Sequence, residues 1–337
     1  MQCEYQFSHN LIKMKIKLSF ITITLLTLLL LPTINYAQAP NLGSTSKFAL
    51  FTASGAFSNS GATYVRGDIG TNAGAFSGFP PGVLVGQSYI SDSTSAVAAA
   101  DVATAYGDLS AATCGTVLGT TMGSGQTLNA GVYCLGGAST INGNLILDGQ
   151  ADPNALFIIQ VGGALSTGTH ANVLLINAAS LCNVYWQVNG QFDLGDSSVF
   201  RGTVIANGSI NLLEGSSLEG RALSIPGSVS LHTNKVFFSP DTTGSITGTP
   251  IVCETQTGVI YTTPAIYNAT GYVWTLPAGA SITSGTNTNS ITVSFSMGAS
   301  SGNIAVYGTN ACSNGIVSTN YSITVSQLPL TSAIYHQ

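Results

Sequence analysis

Charged side chains are what this sequence has least of, at 6% of its 337 residues. The scarcity does not describe a disordered chain, because 45% of the residues are apolar and disorder requires low hydrophobicity with high net charge. It argues against a nucleic-acid partner. Without residues 1–39, which carry three Lys and one Glu, the 8 basic and 13 acidic residues fall to five and twelve, a net charge of about −7. Histidine is also sparse, and His170, His232 and His336 make no metal-ligand spacing. Asp148-Gly-Gln-Ala-Asp152-Pro-Asn154 departs from a calcium-loop pattern and reads as a turn. Neither a phosphate-binding glycine loop nor a nucleophile elbow is present. No metal and no cofactor is expected.

Glycine is plentiful, at 39 residues, and it punctuates a repeat. Gly143-Asn-Leu-Ile-Leu147, Gly163-Ala-Leu-Ser-Thr167, Gly190-Gln-Phe-Asp-Leu194, Gly208-Ser-Ile-Asn-Leu212 and Gly227-Ser-Val-Ser-Leu231 share one pattern, a glycine corner followed by apolar side chains at alternate positions. A period near 18 to 20 residues between the later copies suits three short strands per turn. The fold class expected is all-β with one long helix: a right-handed irregular triangular β-helix followed by an immunoglobulin-like β-sandwich. Every outward position then becomes a ladder spaced by about 4.7 Å, a surface suited to something periodic.

Residues 1–39 read as a secretory signal, with Lys15 and Lys17 before an apolar run to Leu31 and Ala37-Gln38-Ala39 as cleavage pattern; the start is placed at Met1 or Met14. The mature protein is expected outside the cell or on its surface, as a monomer without a membrane span. Residues 40–238 form the solenoid. Within it, 91–112 is an alanine-rich helix, with Ala98, Val102, Ala105, Tyr106 and Leu109 at helical spacing, and 113–135 is a cap. Residues 239–248 are a linker, 249–327 the sandwich and 328–337 a tail. Two bridges are expected, Cys114 with Cys134 and Cys253 with Cys312, leaving Cys182 as a buried thiol.

Several phrases resemble the secreted ice-binding proteins of bacteria and fungi: Gly67-Asp-Ile-Gly70 with Gly78-Phe-Pro-Pro-Gly82, the alanine-rich helix, Ala130-Gly-Val-Tyr133, Cys182-Asn-Val-Tyr-Trp-Gln-Val188, Phe200-Arg-Gly-Thr-Val-Ile205 and Leu218-Glu-Gly-Arg-Ala222. They span nearly all of 41–238. The C-terminal segment, with Tyr272-Val-Trp-Thr-Leu-Pro-Ala-Gly279 and Thr309-Asn-Ala-Cys312, is similar to the PKD- or immunoglobulin-like repeats of exported Bacteroidetes proteins. The resemblance implies an irregular solenoid, no enzymatic activity, and adsorption to an ice crystal through one flat face bearing Thr, Ser and Asn. The residues that resemblance selects are Ser60, Thr63, Thr167, Thr169, Asn172, Ser198, Ser217 and Thr233, with Asp196, Glu214 and Lys235 as charges that interrupt the array.

Two other readings stay open. One is a surface adhesin or structural protein binding cell-surface polysaccharide. The other, by analogy of fold, is carbohydrate cleavage by carboxylates and cations from adjacent turns: Asp193, Asp196, Arg201, Glu214, Glu219 and Arg221.

Overall fold

The computed structural model describes residues 38–327, which belong to one compact unit. The targeting segment, except its last two residues, and the 328–337 tail lie outside the described residues.

Strand pairing follows the repeat. Phe157–Val161 pairs in parallel with Val184–Val188, and Ile210–Leu212 with Val229–Leu231, each strand meeting its counterpart one winding away. Continued through the chain, this gives a 15-stranded and a 7-stranded sheet. The larger sheet holds two rows of strands, joined where Val199–Ala206 and Ser217–Ser224 run round a corner from one row into the other. Gly202 and Gly220 turn that corner at φ 110° and 154°, and a Cβ on Gly220 would collide with the backbone of Gly202. Inward side chains from all three rows, among them Phe157, Trp186, Phe192, Phe200, Leu212 and Leu218, make one dry core.

Four of the five repeat copies lie in the 7-stranded sheet, where Gly163, Gly190, Gly208 and Gly227 stack so closely that each occupies the space of a neighbour's Cβ. The copy beginning at Gly143 does not. Its strand Asn144–Asp148 belongs to the larger sheet, and the in-register phrase is Gly137-Ala-Ser-Thr-Ile141. Alternation of apolar residues is the same on every row, so pattern alone could not separate them.

Residues 48–90 also wind, but out of sequence order. Phe48–Thr52 pairs with Ser217–Ser224, Phe57–Asn59 with Val229–Leu231 and Tyr64–Arg66 with Lys235–Phe237. The first windings of the chain therefore stack beyond the last. Helix α1, Ser93–Ala111, carries the chain back to the opposite end. Its ~28 Å, with the few extended residues after it, covers the ~38 Å occupied by nine stacked strands. Asp92 caps the helix, its carboxylate accepting from Ser95 N while Ser95 Oγ accepts from Asp92 N. The buried stripe Ala98, Val102, Ala105 and Leu109 faces the strands, and Val102 and Leu109 each contribute about 1.5–3 kcal/mol by leaving water. Gln160 donates to the carbonyls of Leu109 and Ala112, and Gln187 to the Tyr106 hydroxyl.

The expected cap at 113–135 is built as the terminal winding. Thr116–Leu118, Thr121–Gly123 and Gln126–Asn129 pair with the three strands of the next turn, and Cys114 is bridged to Cys134 across a Cα separation of 5.9 Å.

Beyond residue 246 come two four-stranded sheets around a separate core that includes Tyr261, Ile291, Val293, Ile304 and Val306. The second expected bridge is not formed: Cys312 is joined to Cys182, and Cys253 is an exposed free thiol. The reason is the loop after Gly302–Thr309. Asn310 Oδ1 accepts from Cys312 N and Ser313 N while its Nδ2 donates to Phe238 O, turning Cys312 toward the windings. The 239–248 segment is no free linker either. Ser239 and Pro240 are buried, and Arg66 donates to Pro240 O and pairs with Asp241.

Candidate functional site

Three rows of outward side chains are available, and two have other segments packed against part of their length. Helix α1 lies over the row containing Phe157–Val161 and Val184–Val188. The loop between the C-terminal strands Val259–Thr262 and Gly271–Thr275 packs against the row running through Tyr64–Arg66, Lys235–Phe237 and the first halves of Ser217–Ser224 and Val199–Ala206. There Arg201 clasps Glu219 with two hydrogen bonds of 2.8 and 2.9 Å, and the Tyr267 hydroxyl donates to Glu219 Oε1 at 2.7 Å. The Tyr267 ring meets Phe237 edge-on, and Asn268 Nδ2 donates to Phe238 O.

The 7-stranded sheet is the open row. Its strands run in the order Phe57–Asn59, Val229–Leu231, Ile210–Leu212, Phe192–Leu194, Leu165–Thr167, Ser139–Asn142 and Thr121–Gly123. The middle outward position, read through the pairing register, is Ser58, Ser230, Asn211, Asp193, Ser166, Thr140 and Thr121. Beside it the residue before each of the first six strands forms a second column: Ala56, Ser228, Ser209, Gln191, Ala164 and Ala138. Small hydroxyl, amide and methyl groups thus repeat about every 4.7–4.9 Å along the row and about 6.6–6.8 Å across it.

Lateral hydrogen bonds hold these side chains in place. Ser228 Oγ donates to Ser209 Oγ at 3.3 Å, Ser58 Oγ to Ser230 Oγ at 3.5 Å, and Asn142 Nδ2 to Thr140 Oγ1 at 3.2 Å. Asp193 is the one charge in the middle column. Its carboxylate accepts from Asn211 Nδ2 at 2.7 Å and from Gln191 Nε2 at 2.7 Å. Among the described residues, the side-chain hydrogen bonds of this column stay within its own row.

The residues selected from sequence do not form one ladder. Thr63 and Ser198 are buried at corners, Thr63 Oγ1 accepting from Asn234 N and Ser198 Oγ donating to Gly168 O. Thr167 occupies the inward position matched by Ile141, and its Oγ1 accepts from Gly195 N. Asn172 and Ser217 lie on the row where the C-terminal sheets dock, with Asn172 Oδ1 accepting from Arg201. Thr169 and Thr233 are exposed in corners, Thr233 at φ 54°. Ser60 alone flanks the open row, its hydroxyl 2.7 Å from His232 Nδ1. Asp196 and Glu214 are exposed corner residues and Lys235 stands on the docked row, so none interrupts the open one. The signal that could have found the middle column was the fourth residue of each glycine phrase: Ser166, Asp193, Asn211 and Ser230 all follow Gly by three.

The charges considered for carbohydrate cleavage are dispersed among the rows. Asp193 is tied to amides, Glu219 is held by Arg201 and Tyr267, and Arg221 donates to Ser46 O with its guanidinium 3.9 Å from the Phe238 ring centre. Burial lowers the Arg221 pKa to about 10, with Tyr185 opposing. Asp148-to-Asn154 is a turn, pinned by Asp148 Oδ1 accepting from Gln150 N and Asn177 Nδ2. His170 sits at a corner with φ 57°; His336 lies outside the described residues.

Comparison with known proteins gives a consistent result. The family model described as ice-binding-like matches residues 51–237, and that of a PKD-like domain matches 239–323. An ice-binding protein of Nostoc sp. (strain HG1) is 35% identical over 203 residues, spanning 59% of this chain and 74% of its own length. Ice-binding protein 1 of Shewanella frigidimarina (strain NCIMB 400) is 31% identical over 239 residues, which cover 26% of that longer protein. Among solved structures, an ice binding protein from an Antarctic biological consortium superposes with a TM-score of 0.58 at 36% identity, covering 62% of this chain and 95% of the other.

Proposed function

Since the chain belongs to the ice-binding-like family and carries a PKD-like domain behind that region, we propose that it adsorbs to ice through the open seven-stranded row. The observation that carries this reading is the middle column Ser58, Ser230, Asn211, Asp193, Ser166, Thr140 and Thr121, flanked by alanine and serine. Threonine and serine offer a hydroxyl beside a methyl or methylene on a short side chain, and fixed strand spacing holds bound waters in a repeating array. No reacting group is required. Adsorption rests on area, flatness and ordered water, which suits a surface with one charge in its middle column.

The finer architecture belongs to the same reading: residues 40–238 as a right-handed triangular β-helix and 249–327 as an immunoglobulin-like sandwich. Three parallel rows about one core, and two four-stranded sheets about another, support it. No helix among the described residues is long and apolar enough to cross a membrane. Export and a monomeric state complete the proposal.

Ice-crystal shaping and thermal hysteresis of the mature protein, with polysaccharide degradation as a control, test it. Faceted crystals with no degradation support ice adsorption. Round, freely growing crystals would leave the family fold without the family activity.

A further inference from the structure

Four Asn-Gly pairs occur in the chain: Asn142-Gly143, Asn189-Gly190, Asn207-Gly208 and Asn314-Gly315. Such a pair can modify itself, because a glycine has no Cβ to hinder its own amide nitrogen as that nitrogen swings toward the side-chain carbonyl carbon of the preceding asparagine. Packing separates the four. The amide of Gly315 donates to Gly308 O at 2.8 Å, which engages the nucleophile. Gly190 and Gly208 sit in the glycine stack, where a Cβ would stand 2.9 Å from Ala164 N and 2.5 Å from Gly190 C respectively. Their asparagines are tied together as well, Asn207 Nδ2 donating to Asn189 Oδ1, which also accepts from the Tyr106 hydroxyl.

Gly143 has none of these restraints. Its φ is 60°, a Cβ on it would find its nearest heavy atoms 3.9 Å away, and its amide N–H has no acceptor among the described residues. Asn142 is exposed at the end of Ser139–Asn142, two residues after Thr140 and on the same outward side of the open row. Its Nδ2 donates to Thr140 Oγ1 at 3.2 Å, and its Oδ1 lies over Gly168, 2.7 Å from where a Cβ would stand there.

We propose that Asn142-Gly143 is a self-modifying site whose conversion impairs the ice-adsorbing row, a role that rests on the adsorption reading above. The Gly143 nitrogen bonds to the Asn142 side-chain carbonyl carbon, the bond from that carbon to Nδ2 breaks, and ammonia leaves with the amide proton, giving a cyclic imide. Water opens the imide at either carbonyl and leaves aspartate or isoaspartate. Nothing is oxidised or reduced; a water is consumed and an ammonia released. Either product sets a carboxylate beside Thr140, within a stretch, 109–147, that has no Asp, Glu, Lys, Arg or His. A carboxylate keeps its own hydration shell and so disturbs the ordered water of the array. Isoaspartate also lengthens the backbone where Asn142 O accepts from Ser124 N.

The test is incubation of the mature protein in mildly alkaline buffer, with peptide masses and thermal hysteresis read on the same aliquots. The Asn142 peptide should be the first of the four to gain the mass difference between Asn and Asp. Hysteresis should fall severalfold as its conversion nears completion, with an unchanged circular dichroism spectrum. Asn142→Asp should show the lowered hysteresis from the start. Gly143→Asn, whose side chain tolerates the left-handed backbone and meets open space, should start at the parent's hysteresis and lose it more slowly. Earlier modification at Asn189, Asn207 or Asn314, or an Asn142 peptide that keeps its mass, overturns the proposal. So does full conversion with undiminished hysteresis, or an Asn142→Asp variant as active as the parent. A parent without hysteresis at the outset would instead overturn the adsorption reading and the inactivation with it, while the peptide masses would still decide whether Asn142 is the reactive asparagine.

Discussion

Cys182 and Cys312 are 130 residues apart in sequence, and their Cα atoms are 5.2 Å apart across a disulfide. Cys182 belongs to the short turn Leu181–Asn183 that leads into Val184–Val188, whereas Cys312 follows Gly302–Thr309 in the C-terminal sheets. The bridge therefore fastens the two hydrophobic cores to each other, not the two sheets of one core.

With this pairing, the mature protein should show one reactive thiol, Cys253, by thiol titration, and peptide mapping should link Cys182 to Cys312. A Cys182→Ser/Cys312→Ser variant should lose up to about 5 kcal/mol on the loop-entropy model, read as a lower unfolding midpoint. A Cys253–Cys312 peptide would contradict the placement.

Asp193 should be the residue that limits adsorption. Replacing it with Thr removes a charge that holds its own hydration shell in the middle column, so thermal hysteresis is expected to rise. Asp196→Thr and Glu214→Thr, made at corners, should leave hysteresis within error of the parent. An increase from the corner variants and none from Asp193→Thr would place the ice surface elsewhere.

Bulk on the open row should reduce activity without touching the core. Ser166→Tyr and Thr140→Tyr are expected to reduce hysteresis severalfold with an unchanged circular dichroism spectrum, because both side chains point outward. The buried corner residues should behave oppositely. Thr63→Ala and Ser198→Ala each leave a backbone group without its partner and should cost about 1–3 kcal/mol of stability while the hysteresis of folded protein is retained.

Alkaline pH should act on the C-terminal sheets. Tyr261 is buried, its hydroxyl donates to Thr249 O, and burial with a smaller contribution from Tyr321 raises its pKa to about 12. The folded state holds this proton more tightly than the unfolded chain, whose tyrosines titrate near 10. The stabilisation is thus fully present below pH 10 and is lost as pH rises toward 12. Denaturant melts at pH 9 and 11.5 should show a lower midpoint at the higher pH, and Tyr261→Phe should lessen that drop.

Sequence alone determined the local plan. A glycine corner with alternating apolar residues specifies strands with one buried side, as at Phe192 and Leu194, whatever they pair with. Alanine spacing from Ala98 to Leu109 likewise specified the helix, because a single stripe of small side chains suits close packing on a flat sheet. Tertiary structure decided which outward side chains meet water. Thr63 and Ser198 look like surface hydroxyls in sequence, yet corner geometry turns them inward to backbone partners. Asn172 and Ser217 are outward as alternation requires, but docking of the C-terminal sheets makes theirs the wrong row. The same docking joined Cys182 to Cys312, and the helix set the first windings beyond the last. Periodicity encodes a side chain's direction relative to its own strand; which row stays open depends on contacts between segments more than a hundred residues apart, and a period of two carries no trace of them.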